Sequence, residues 1–336
     1  MKMKAAVFHK PGEMEITETN IEQPAAGQVL IQVKATGICG TDRHIFHGKA
    51  AADYPLILGH EIAGEVIETG SGIEQLTAGD RVAVDPNITC GKCFYCRRGE
   101  INLCKNLQAV GVTRNGGFAQ YVLVPVENVY QLPESIGYQT GSMIEPISCC
   151  LRGLDRANIE SGELVFILGA GAIGLILAQL AAGAGARRVL ISEPNRSKRE
   201  LARRLGLETV VPEELEQTLA GISAEGADTV IEAVGIGDTV KESFRVVRRG
   251  GTIVLFGVCP EDLEIPMKPF QVFNSELTIK GSFLNPFVVS RSIELLAEER
   301  ITVKELITDT YSLEELPGVL AADDSADSVK SLVVFE

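Results

Sequence analysis

The chain has 336 residues, 45% of them hydrophobic, and this length predicts two domains rather than one core. Lys plus Arg number 31 against 45 Asp plus Glu, and the net charge of −14 excludes nucleic acid as a bulk partner. No apolar run reaches the roughly 18 residues of a membrane span, and Met1–Phe8 leads into no long apolar core of a signal peptide, so a cytoplasmic protein is expected. In that compartment the eight cysteines are expected to be ligands or small buried hydrophobes rather than disulfides.

Residues 1–38 read as β-hairpins, with Met3–His9 against Met14–Thr17, a turn at Pro24–Gly27 and a β-branched strand at Val29–Ala35. That strand delivers Gly37-Ile38-Cys39-Gly40-Thr41-Asp42-Arg43-His44, read as a loop. Gly59-His60-Glu61 follows, then strands at Ala63–Thr69 and Arg81–Val84. Cys, His and Glu are zinc ligands when three converge and leave a fourth position open. Such a metal acts as a Lewis acid on an oxygen.

Cys90, Cys93, Cys96 and Cys104 form the most specific spacing in the chain. Four thiolates with short gaps make a closed tetrahedral zinc site whose role is structural. A disulfide pair or an iron–sulfur cluster is the rival reading. Asn115–Val124 is a turn and a strand, and Glu145-Pro146 opens a mainly apolar segment at an expected helix start. Glu145 there is either a site carboxylate or an acid stabilised by the helix dipole.

From about Ser161 short strands alternate with helices, the pattern of βαβ units and a parallel sheet. The strand Leu164–Leu168 runs into Gly169-Ala170-Gly171-Ala172-Ile173-Gly174, which opens a helix at Leu175–Ala182. This is G-x-G-x-x-G in its required context, placing a pyrophosphate on a helix N-terminus. The next strand, Arg188–Ser192, ends at Glu193, where a carboxylate accepts ribose hydroxyls and repels a 2′-phosphate. NAD is therefore expected, with Arg196, Lys198 and Arg199 as the cations that would accommodate a phosphate instead. Helices are expected at Ser197–Leu205, Thr239–Val247 and Pro286–Glu298, a strand and turn at Asp228–Gly235, and strands at Thr252–Gly257 and Leu277–Ser282. The alternating Ser331–Phe335 returns to the first domain.

In order and motif the chain resembles the zinc-dependent medium-chain dehydrogenase/reductase superfamily over essentially its whole length. Within it, Glu145 at a position that is cysteine in ordinary alcohol dehydrogenases matches the polyol, threonine and butanediol dehydrogenase branch, which includes the sorbitol, arabitol and galactitol-phosphate enzymes. The resemblance implies an α/β fold: a GroES-like β-rich catalytic domain plus a Rossmann doubly wound parallel sheet. The first would span 1–150 and 287–336, with the structural zinc lobe at about 86–108, and the second 151–286. It implies two zinc ions and NAD, the catalytic zinc being held by Cys39, His60 and either Glu61 or Glu145. Asp42 would orient the ligand His60, and Thr41 and His44 would relay the proton of a secondary alcohol to solvent while its hydride passes to NAD. His44 could equally be a surface histidine beside the site. The expected cofactor contacts are Gly169, Gly171, Ile173, Gly174, Glu193, Arg196, Lys198 and Val234.

The partner implied is a small-molecule alcohol or ketone, on a homodimer or homotetramer joined through Leu277–Ser282, with no nucleic acid and no membrane. Sorbitol dehydrogenases carry Arg-Tyr where this chain has Leu284-Asn285, which argues against sorbitol itself. Arg43, His47, Lys49 and Arg114 would receive a phosphorylated polyol, or are solvated loop charges. A threonine- or 2,3-butanediol-type dehydrogenase is the alternative. A metal-free quinone or enone reductase is more distant, because it has no need of Cys39, His60, Glu61 and Glu145.

Overall fold

The chain is described by a computed structural model covering residues 2–50, 52–322 and 325–336. It opens with β1 (Lys2–Lys10), β2 (Glu13–Asn20), β3 (Gln28–Ile38), helix α1 (Gly40–Phe46), β4 (Leu56–Ile57), β5 (Glu61–Thr69) and β6 (Arg81–Val84). The short β7 (Asn87–Ile88) and β8 (Gln108–Ala109) bracket the cysteine lobe. Then come β9 (Tyr121–Pro125), β10 (Val129–Gln131), α2 (Tyr138–Gly141) and α3 (Ile144–Ala157).

A βα alternation follows: β11 (Leu164–Leu168), α4 (Ala172–Gly183), β12 (Arg188–Ser192), α5 (Arg196–Arg204), β13 (Glu208–Val210) and α6 (Leu215–Ile222). It continues with β14 (Ala227–Glu232), α7 (Gly237–Val246), β15 (Val247–Leu255), α8 (Pro269–Asn274) and β16 (Thr278–Gly281). The tail holds α9 (Val289–Ala297), β17 (Ile307–Tyr311), α10 (Leu316–Ala321) and β18 (Lys330–Val334).

The backbone contacts divide into two units. One comprises the residues up to Pro146 with Pro286–Glu298 and Leu306–Glu336; the other comprises Ile147–Asn285 with Glu299–Glu305. In the first, β3 lies at the centre of the sheet β10-β6-β5-β3-β18-β17, with β9 also paired to β3. Its alternating apolar residues explain that place: Val29, Ile31 and Val33 are fully buried and pack with Val66, Val82 and Val124. A second core gathers Phe8, Phe46 and Phe118, with the Phe8 and Phe46 rings edge to face at 5.7 Å. Each such buried side chain contributes roughly 1.5–3 kcal/mol.

The second unit is a parallel sheet in the order β13-β12-β11-β14-β15-β16. Strand β11 is buried along its whole length, as a strand covered on both faces must be. The order reverses direction between β11 and β14, and a crevice for ligands lies outside the carboxyl ends at such a point.

Two departures from the sequence reading have a clear local cause. The segment after Cys39 is helix α1 rather than a loop, because the Asp42 carboxylate accepts the Cys39 amide at 2.8 Å and closes a capping box. Helix α9 starts at Val289 rather than Pro286, because Leu284 and Phe287 sit at φ of 57° and 64°, outside the helical region.

Candidate active site

Strands β3 and β5 run antiparallel with Gly37 opposite Glu61. This register sets Cys39, just past the end of β3, beside His60-Glu61 at the start of β5. One donor atom from each of Cys39, His60 and Glu61 lies within 4.8 Å of the other two. Cys39 is half-buried, and the other two are buried. Asp42, with no exposed surface, lies behind them. Its Oδ1 accepts the Gly59 amide at 3.3 Å and stands 3.5 Å from His60 Nδ1. Burial opposes a charged His60, but the negative charges of Asp42 and Cys39 outweigh it and raise its pKa well above the usual value. A pocket with that excess of negative charge attracts a dication, and the Cys–His–carboxylate donor set fits zinc.

The structure adds a residue that the sequence reading missed. Lys330, the first residue of β18, is buried, and its Nζ donates to Ile38 O at 3.1 Å and to Glu61 Oε1 at 2.6 Å, with Glu61 Oε2 also in contact. Burial opposes this ammonium, but the charges of Glu61 and Cys39, with a smaller contribution from Glu145, raise its pKa. A lysine opening an alternating strand reads as a solvated end, so no sequence signal marked it. Antiparallel pairing of β18 with β3, with Ser331 opposite Ile38, brings it in.

Gly37 is required by the same geometry. A Cβ there would lie 1.7 Å from Glu61 Oε2, so only glycine lets the carboxylate fold back over β3. Glu145, in the first turn of α3, is buried and is not one of the three convergent donors. Thr41 Oγ1 lies 3.8 Å from Cys39 Sγ, and His44 is exposed in the last turn of α1. Two of the four cations suggested for a phosphate are engaged elsewhere. Arg43 Nη1 donates to the carbonyls of Val319 and Ala322 at 2.9 Å, and Arg114 Nε donates to Gln108 at 2.8 Å.

Cys90, Cys93, Cys96 and Cys104 form a second cluster. The Sγ atoms of Cys93 and Cys96 are 3.5 Å apart, as are those of Cys90 and Cys104. Sulfurs around a tetrahedral zinc at about 2.3 Å sit roughly 3.8 Å from one another, so the four thiols match that geometry and not a disulfide. Backbone amides donate to the sulfurs: Cys104 Sγ accepts from the amides of Cys90 and Asn106, both at 3.4 Å. Amides of Cys96 and Lys105 lower the Cys93 thiol to about 6, favouring the thiolate that binds metal.

In the second unit, α4 begins at Ala172 with Gly171 as its N-cap. A Cβ at Gly174 would meet Gly169 O at 1.9 Å, so the helix packs on the strand turn only with glycine there. Nothing lies within 4 Å of a Cβ built on Gly171, which leaves the helix N-terminus open to an anion. Glu193 is buried, with Oε2 accepting the Ala170 amide and Oε1 the Asn195 amide, each at 2.8 Å. It thereby ties the glycine turn to the end of β12. Arg196 pairs with Glu200, Lys198 and Ile173 are half-buried, and Val234 is 44% exposed.

Residues 25–134 match the alcohol dehydrogenase GroES-like domain family and residues 172–298 the zinc-binding dehydrogenase family. D-arabinitol dehydrogenase 1 of Uromyces fabae is 33% identical, over 99% of this chain and 97% of its own length. The chain belongs to the zinc-binding alcohol dehydrogenase family. Its other relatives include the L-threonine 3-dehydrogenase of Pyrococcus horikoshii, 35% identical over 92% of each chain. Among solved structures, a Sinorhizobium meliloti protein described as a zinc-binding dehydrogenase, bound to NADP, superposes with a TM-score of 0.97 at 40% identity, covering 100% of both chains. The protein is thus a zinc-dependent alcohol oxidoreductase of the polyol dehydrogenase branch that uses zinc and a nicotinamide dinucleotide. Among the described residues no helix is long and apolar enough to cross a membrane.

Proposed function

We propose that the chain oxidises a secondary alcohol of an unphosphorylated polyol, reversibly, with NAD as hydride acceptor. The observation that carries this reading is the convergence of Cys39, His60 and Glu61 within 4.8 Å beside a buried Lys330. These three residues would hold a catalytic zinc, and Glu145 is the second carboxylate, which would exchange with the substrate. Zinc bound there supplies a Lewis acid that lowers the pKa of the substrate hydroxyl. Asp42 fixes the His60 ring through Nδ1. The Thr41 hydroxyl and the exposed His44 ring form a proton path from the buried pocket to solvent. The four cysteines of Cys90–Cys104 hold a structural zinc that takes no part in the chemistry. The engaged Arg43 and Arg114 favour a free polyol over a phosphorylated one.

For the cofactor, the buried Glu193 carboxylate favours a ribose diol over a 2′-phosphate at the end of β12. Gly169, Gly171, Ile173 and Gly174 take the pyrophosphate, Arg196 and Lys198 flank the adenosine, and Val234 lies on the nicotinamide side. Assembly as a homodimer, or a homotetramer built from it, would pair β16, which among the described residues pairs with β15 alone. Phe270 and Phe273, 71% and 78% exposed, lie on the helix before that strand. A cytoplasmic location fits eight cysteines of which none is joined in a disulfide.

The test is a kinetic panel on zinc-replete protein, following nicotinamide absorbance with NAD and NADP. Substrates are free and phosphorylated polyols, L-threonine and 2,3-butanediol. One preferred free polyol with NAD is expected. Equal or better rates on phosphorylated polyols, on threonine or with NADP would overturn the corresponding part. His44→Ala is expected to lower turnover and flatten its pH dependence; an unchanged pH–rate profile would remove His44 from the proton path.

A further inference from the structure

One buried carboxylate belongs to none of these roles. Glu232 ends β14 at the point where the sheet order reverses, paired to Leu168 of β11 on one side and to Leu255 of β15 on the other. None of its surface is exposed. Its Oε1 accepts three donors: the amides of Val234 at 2.9 Å and Gly235 at 2.8 Å, and the Thr239 hydroxyl at 2.7 Å. Its backbone carbonyl accepts the amides of Phe256 at 3.0 Å and Gly257 at 2.8 Å. One residue therefore holds the turn after β14 and the turn after β15 together.

Those turns touch closely. A Cβ on Gly235 would meet Val258 O at 2.6 Å, and one on Gly257 would meet Gly235 N at 2.2 Å and Glu232 Oε2 at 2.6 Å. A Cβ on Gly169 would lie 2.7 Å from Val234 Cγ2, so the turn after β11 joins the same stack. On these turns the aliphatic side chains of Val234, Ile236 and Val258 are 44%, 50% and 73% exposed, at the end of a sheet whose central strands β11 and β14 are buried or nearly so. Exposed aliphatic groups at the carboxyl ends of parallel strands form a seat for a flat apolar ring. The glycine turn and Glu193 occupy the β11–β12 side, which leaves the β14–β15 side for the other half of a dinucleotide.

We infer that Glu232 is the positioning residue for the nicotinamide half of the cofactor, preforming that aliphatic seat by holding the turn after β14 through its carboxylate and the turn after β15 through its backbone carbonyl. It touches neither substrate nor reacting atoms. The assignment rests on the dinucleotide reading above and extends it. A charged acceptor makes hydrogen bonds about twice as strong as a neutral one, so loss of the charge loosens the seat without removing the side chain.

The test measures binding of two probes to the zinc-replete protein: NADH, by fluorescence, and ADP-ribose, which lacks the nicotinamide ring, by calorimetry. Glu232→Gln is expected to raise the NADH Kd about tenfold and to leave the ADP-ribose Kd within about twofold. Thr239→Val removes one donor and is expected to raise the NADH Kd alone, by about threefold; it decides the matter if Glu232→Gln does not fold. Equal weakening of both probes would make Glu232 a general structural group, and unchanged NADH binding would remove any role; either overturns the assignment. Wild-type protein that binds neither probe would instead overturn the dinucleotide reading itself.

Discussion

The four-cysteine lobe takes all its donors from one short segment, Cys90–Cys104, and its Cys104 sulfur accepts the backbone amides of Cys90 and the nearby Asn106. The Cys39–His60–Glu61 pocket is assembled instead from the ends of β3 and β5, the capping carboxylate of α1 and a lysine that arrives on β18. The lobe answers to local spacing. The pocket answers to a sheet register and to a charge balance in which one buried ammonium offsets several buried acids. A closed site needs only enough thiolates; an open one needs its surplus charge held in place while one position stays empty.

Removing a donor from each cluster sets the two furthest apart. His60→Ala is expected to lower turnover about a thousandfold and to halve the zinc content by metal analysis, leaving the lobe loaded. Retention of full zinc would mean that His60 is not a ligand. Lys330→Met leaves the Glu61 carboxylate buried without its partner, a loss of about 3–5 kcal/mol by denaturant titration, which Lys330→Arg should partly restore. A change below about 1 kcal/mol would show that Glu61 finds another partner. Cys93→Ser should cost about 2–4 kcal/mol of stability with the zinc-loaded lobe as reference, while the activity of the folded fraction stays near that of the parent. Equal loss of activity and of zinc at the first site would erase the distinction between the clusters.

Gly37→Ala is a finer probe, because its Cβ would fall on Glu61 Oε2 and push the carboxylate away from Lys330. About 1–3 kcal/mol of destabilisation and weaker zinc retention are expected, against no effect if Glu61 is free to move. Asp228→Asn, outside both clusters, is the smallest and serves as control. Burial raises the Asp228 pKa, but the Leu164 amide and the Arg248 guanidinium outweigh it, so the folded value is depressed. Its contribution is therefore present above the unfolded pKa of about 3.9 and lost as pH falls through the lower folded value. The variant should be less stable by about 1–2 kcal/mol at neutral pH, and the gap should close in strong acid with zinc content unchanged.

Much of the fold was legible because its signals are local. Leu164–Leu168 is a continuous apolar run and became the buried β11; the glycines that follow it became the turn and helix N-terminus that their spacing requires. Boundaries failed where side chains override pattern. The Asp42 carboxylate made a helix of residues read as a loop, and positive φ at Phe287 delayed α9 to Val289. Residues carrying no motif, such as Glu232 at the end of an ordinary strand, could be recognised only from the donors that converge on them.

The amino-acid sequence by itself determined which donors this protein has: the Cys–His–Glu set, the four closely spaced cysteines, the glycine fingerprint and the acid twenty-odd residues beyond it. Identity and short spacing carry that information, because chelation and tight turns act over a few residues. The tertiary structure decided which carboxylate joins Cys39 and His60 within 4.8 Å, and that Lys330 balances it. It also decided that Gly37 makes room for Glu61 and that Arg43 donates to the carbonyls of Val319 and Ala322. Those outcomes rest on register and burial between segments far apart in the chain, where Coulomb forces in a low dielectric are strongest and local pattern is silent.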